Sequence, residues 1–190
     1  VGTAACRVPD PVERGLGDRL VAGDGRLDRG AGREKGDATG PNPVDRGKPG
    51  SKIHVLCDRT GIPLAVLITA ANVHDSQVMV PLLDSFAPIP SRRGHPRRRP
   101  GKLHADKAYD IPALRAEIRR RGITVRIARK NVESSQRLGR HRWVVESSLS
   151  WLLNNRRLVR RYERKAEHFQ AFADLGCALL SYRRWAKTTT

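Results

Sequence analysis

A mixed α/β fold is predicted by three features of this 190-residue chain. Short apolar runs rich in β-branched residues begin at Ser51, each bounded by turn residues. Amphipathic stretches with helical spacing are interleaved with them rather than gathered at one end. Apolar residues make up 38% of the sequence, enough to bury a core, although aromatics are sparse.

The run "SKIHVLCD" (51–58) is strand-like, "RTG" follows as a turn, and "IPLAVLITA" (62–70) is a second strand, which together predict a hairpin. "NVHDSQVMVPLLDSF" (72–86) starts a helix. Asp75 or Ser76 is placed to cap it, Val78, Leu82 and Leu83 give it an apolar side, and Pro81 limits its regularity. "APIPSRRGHPRRRPGK" (87–102) is a Pro/Arg loop without a packing signal, and "KLHAD" (102–106) is a third strand. "IPALRAEIRRRG" (111–122) reads as an amphipathic helix, with Asp110 as N-cap, Pro112 early and Gly122 at the C-terminal end. "ITVRIA" (123–128) is a fourth strand and "RKNVESSQRLGR" (129–140) a polar loop. Two helices close the chain, a long one over 141–163 and a last one over 168–185.

Residues 1–39 differ from the rest. They are rich in Gly, Pro, Asp and Arg and show no sustained apolar periodicity, so they are expected to be disordered. The folded domain is expected over 40–186, with 187–190 as a tail.

Lys and Arg number 37 against 19 Asp and Glu, a formal net charge of +18. The sequence pI is near 11.2. Such an excess points to a polyanionic partner. No apolar run reaches the roughly 20 residues that cross a bilayer, so no membrane partner is expected. No secretory signal is visible, and the absence of an initiator Met suggests a fragment. Three widely spaced cysteines, Cys6, Cys57 and Cys177, suit a reducing cytoplasm and lack zinc-ligand spacing.

Two dense basic clusters lack balancing acids. One holds Arg92, Arg93, Arg97, Arg98, Arg99 and Lys102, the other Arg156, Arg157, Arg160, Arg161, Arg164 and Lys165. Phosphate contact explains them better than solvation alone. Trp143, Trp151 and Tyr162 are candidates for base stacking, but their helical spacing favours core packing. His54, His74 and His104 are expected to pack or to hydrogen-bond.

Asp106 ends a strand, where open α/β sheets bind ligands; a turn or capping role is the plain alternative. Glu146 lies mid-helix, four residues after Arg142, so the plain alternative is a surface pair. Two carboxylates from separate elements are a minimal site for Mg²⁺, which takes one or two protein carboxylates with water and phosphate. No P-loop, dinucleotide fingerprint or GxSxG occurs.

Three blocks, "GPNPVDRGKPGSKIHVLCDRTGIPLAVLITAANVHDS", "KLHADKAYD" and "RHRWVVESSLSWL…RRLVRRYERK", together resemble bacterial insertion-sequence transposases of the DDE type over Gly40 to Trp185. The resemblance implies an RNase H-like mixed sheet flanked by helices. It implies DNA transposition by cleavage and strand transfer, with two Mg²⁺ or Mn²⁺ ions held by Asp, Asp and Glu. It places the second Asp at Asp106, the Glu at Glu146 and a preceding arginine at Arg142. The family's basic residue seven positions after the Glu falls on Leu153, leaving Arg156 or Arg157 as substitutes. It also implies double-stranded DNA as partner, a homo-oligomer on that DNA and a cytoplasmic, nucleoid-associated location. A non-catalytic nucleic-acid-binding protein and a metal-dependent nuclease on the same fold are the alternatives.

The first Asp should end a central strand ahead of "GPNP". No apolar strand is evident there, so that strand is expected to be missing or degraded. Asp24 and Asp28 lie at about the right distance, in glycine- and arginine-rich surroundings. "GRLD" (25–28) can be encoded GGT CGA CTC GAC; read one base later, this begins Val-Asp-Ser. An out-of-frame segment up to about Lys35 would account for the loss.

Overall fold

The computed structural model describes residues 19–27, 36–43, 46–89, 95–96, 99–129 and 135–189. Its strands are β1 (Arg19–Leu27), β2 (Gly40–Pro41), β3 (Pro49–Asp58), β4 (Pro63–Ala70), β5 (Lys102–Ala105) and β6 (Thr124–Ile127). Its helices are α1 (Asp75–Asp84), α2 (Pro112–Arg120), α3 (Ser135–Leu153), α4 (Arg156–Val159) and α5 (Ala166–Thr189).

The strands form one mixed sheet. β3 pairs antiparallel with β4 and β1, β1 runs parallel to β5, and β5 parallel to β6. β1 is therefore the central strand, between the antiparallel and the parallel halves. This is the RNase H-like arrangement expected, with one correction: the central strand is present, built from Arg19–Leu27. The sequence "RLVAGDGRL" lacks an apolar pattern because tertiary pairing on both sides, rather than propensity, holds it extended. The expectation of disorder over 1–39 is likewise wrong for 19–27 and 36–39. Asp28 and the remainder of that segment lie outside the described residues.

The hairpin β3–β4 forms as expected. Asp58 closes its turn by accepting from Thr60 N and Ile62 N, both at 2.8 Å. Burial pushes the Asp58 carboxyl above its ordinary value despite these donors. Gly61 adopts φ +84, a left-handed conformation that favours glycine.

Two apolar layers cover the sheet. Ala22, Leu56, Leu103 and Ala105 pack with Met79 and Leu82 of α1 and with Leu114 and Ile118 of α2. On the other face Ile53, Val55 and Cys57 pack with Val144, Val145, Leu149 and Leu152 of α3 and with Phe169 and Ala173 of α5. β3 is buried along nearly its whole length because both layers rest on it.

Three local expectations are corrected. His74, not Asp75 or Ser76, caps α1, its Nδ1 accepting from Ser76 N. Asp75 is buried and pairs with Lys52 at 2.8 Å. Asp110 does not cap α2; its carboxylate takes Arg115 Nε at 2.6 Å, and Ile111 holds the cap position without a side-chain bond. The long helix starts at Ser135, inside the expected polar loop, and stops at Leu153. There Asn155 donates from both its backbone N and its Nδ2 to the Leu152 carbonyl, the local competition that makes Asn a helix breaker.

Candidate active site

Asp106 follows directly on β5, at the carboxyl end of a strand that runs parallel to central β1. It is exposed, and its carboxylate accepts from Lys107 N at 2.6 Å, opening a single 3-10 turn over Lys107–Tyr109. Tyr109 is buried and fixes that turn in the core on the α1 side. The capping role and the strand-end position thus coincide in one residue.

Glu146 is exposed on α3, while Val144, Val145, Ser148 and Leu149 around it are buried. The helix is held in place two residues further on. Ser148 Oγ donates to Gly61 O at 2.7 Å, bolting α3 to the hairpin turn. A Cβ at Gly61 would press on Ser148 Oγ and the Trp151 ring, each at 3.1 Å, so the close approach needs glycine there. Ser148 carried no signal in the sequence, because a serine on a helix gives no hint of a carbonyl 87 positions earlier.

Arg142 lies in α3, one turn before Glu146. Leu153 is half-buried against the α3–α5 layer, so the helix offers packing where the family pattern has a basic residue. Arg156 and Arg157 beyond it are exposed.

The basic clusters separate on inspection. Arg160 is exposed and stands over the Tyr162 ring at 5.4 Å, as does Arg157. Tyr162 is 61% exposed and Trp143 is 56% exposed, which corrects the packing expectation for both. Trp151 is half-buried beneath Arg184, 3.9 Å from its ring centroid. Arg161, expected to bind DNA, is instead only 7% exposed. Its guanidinium donates to Asp37 O at 2.7 Å, Ser51 Oγ at 2.8 Å and Glu163 O at 2.9 Å, with longer bonds to Ala38 O, Thr39 Oγ1 and Arg164 O. It clamps the 37–39 segment to β3 and to the chain after α4. A planar fork with five donors suits that many acceptors, which is why an arginine stands there.

In the other cluster, Arg99 Nη1 donates to Arg121 O at the end of α2. Lys102 starts β5, four residues before Asp106 and so about 13 Å away along the strand. Arg92, Arg93, Arg97 and Arg98 lie outside the described residues.

His54 is buried with Nε2 at 2.8 Å from Thr69 Oγ1, and burial lowers its pKa to about 4. It is a neutral structural histidine. Burial also pushes the Cys57 and Cys177 thiols up to about 12.

Asp106 and Glu146 fit a hard cation of the Mg²⁺ kind in number and type of donor. Among the described residues, however, no group of three His, Cys, Asp or Glu side chains is gathered to hold a metal ion. Also among the described residues, no helix is long and apolar enough to cross a membrane.

The transposase DDE domain family matches residues 15–181. A Burkholderia cepacia protein, "Putative transposase for insertion sequence element IS402", is 42% identical over 185 residues, covering 96% of this chain and 86% of that protein. Among solved structures, the catalytic core domain of BIV integrase aligns over 91% of this chain and 96% of its own, with a TM-score of 0.47 and 11% identity. The matched span takes in β1, Asp106 and Glu146 alike, and the chain belongs to the DDE transposases of insertion sequences.

Proposed function

We propose that this chain binds duplex DNA through the exposed arginines around Tyr162. Asp106 and Glu146 then present a divalent cation to a DNA phosphodiester for cleavage and strand transfer. One observation carries this reading: Asp106 leaves the carboxyl end of β5 beside the central strand, while Glu146 is exposed on the helix that packs on that strand and its neighbour. A bound Mg²⁺ there would supply charge neutralisation of the phosphate and activation of the attacking oxygen. The chain's own contribution is positional. Ser148 fixes the height of α3 on the sheet, and Tyr109 fixes the turn that carries Asp106.

Arg156, Arg157 and Arg160 supply phosphate contacts, and Tyr162 and Trp143 are placed to stack on bases. Assembly as a homo-oligomer on DNA belongs to the same proposal, as does action at the nucleoid.

The test is incubation of the full chain with DNA carrying the element ends, in Mg²⁺ and then Mn²⁺. Cut and joined products lost in Asp106→Asn and Glu146→Gln support the proposal. Products that are cut but never joined favour a nuclease. Binding that weakens with salt but shows no cation-dependent property sensitive to Asp106→Asn or Glu146→Gln favours a binding protein.

A further inference from the structure

Which β1 positions can serve the Asp106–Glu146 edge is decided by face alternation in the sheet. Antiparallel partners share a face. Ala22 is the partner of Leu56, and both belong to the layer on the α1 side. Gly23 is the partner of Val55, which belongs to the layer that contains α3. Position 23 is therefore on the α3 face, and position 24, the partner of His54, on the α1 face.

The parallel ladder agrees. Leu20 is level with Leu103 and Val21 with His104. Continued by two residues, the register sets Gly23 level with Asp106. Ala22 and Ala105, level when that register is continued by one residue, both lie in the α1-side layer, which leaves Gly23 and Asp106 to the α3 side. The next β1 position on that face is residue 25, also glycine.

We infer that β1 brings no ligand to this edge, because the position level with Asp106 and on the face toward Glu146 is Gly23. Asp24, the one acidic residue of the strand, is a single residue out of step, which in a sheet means the opposite face. Among the described residues this edge thus has two carboxylates where the DDE pattern has three. DNA holding is untouched, and cation affinity and cleavage fall short of what a complete set would give. The inference rests on the assignment of Asp106 and Glu146 to the cation.

The experiment is Mn²⁺ titration of the full chain followed by electron paramagnetic resonance, with circular dichroism and thermal melting to confirm folding. Gly23→Asp is expected to tighten Mn²⁺ binding by about tenfold or more. Asp24→Asn is expected to leave it unchanged within about twofold. Two results overturn the inference: Asp24→Asn weakening Mn²⁺ as much as Asp106→Asn does, or a folded Gly23→Asp protein binding no tighter. Should Gly23→Asp fail to fold, Asp24→Asn still decides, with Gly25→Asp as the second gain variant. A different failure, Asp106→Asn and Glu146→Gln both leaving Mn²⁺ binding unchanged, overturns the underlying cation assignment itself.

Discussion

Arg160 and Arg161 are adjacent in the sequence and belong to the same dense cluster, yet the structure gives them opposite duties. Replacing each by Gln separates the two. Arg161→Gln removes three short bonds, to Asp37 O, Ser51 Oγ and Glu163 O, and leaves buried acceptors to be satisfied by a shorter amide. At about 1 kcal/mol per bond, with charged donors at the upper end, the loss is about 3 kcal/mol. For a chain of this size that corresponds to a fall in melting temperature of roughly 6–12 °C. Arg160→Gln touches only the exposed Tyr162 ring and should change stability by less than about 0.5 kcal/mol. Urea denaturation read at constant m-value measures the first effect. Duplex binding at several salt concentrations measures the second, with the salt slope of Arg160→Gln reduced by about one unit. Arg161→Lys should recover little, since an ammonium cannot reproduce the fork. If Arg161→Gln kept full stability and lost DNA binding, the clamp described for 37–39 would be wrong.

Lys52→Met would leave Asp75 in a buried site without its cation, a loss of about 3–5 kcal/mol by denaturation, whereas the paired replacement Lys52→Met with Asp75→Leu should recover most of it. Acidification should destabilise the fold through His54. Its folded pKa, about 4, lies below the ordinary 6.5, so the unfolded chain takes up the proton first and stability falls as pH drops from 6.5 toward 4. His54→Asn should flatten that part of a stability–pH curve. Iodoacetamide at neutral pH should leave Cys57 and Cys177 unmodified in the native protein and label both in urea, as peptide mass spectrometry would read. Trp143→Ala should weaken DNA binding by about 1–3 kcal/mol, with Trp143→Phe recovering much of it in the same assay.

The strands with local apolar patterning were legible in the sequence. "SKIHVLCD", "IPLAVLITA", "KLHAD" and "ITVRIA" are all strands, because each supplies its own burial signal. β1 was not legible. Its apolar run, Leu20 to Ala22, is only three residues long before Gly-Asp-Gly interrupts it, and the partners on either side keep it extended. The helix break at Asn154–Asn155 was hidden by strong helical spacing on both sides. Asp106 and Glu146 could be singled out from their position and type, and the structure puts both on exposed, well-supported backbone. The roles of Arg161, Ser148 and Lys52 depend on partners from 21 to 124 residues away, and nothing local encodes such distances.

The most direct measurement of the central claim is a double-mutant cycle of Mn²⁺ affinity across Asp106→Asn and Glu146→Gln. If the two carboxylates hold one cation edge, the double variant should lose little more than either single one, because the first loss already removes the shared ion. Strictly additive losses, or no loss from either substitution, would mean that the two side chains do not share a cation, and would contradict the account.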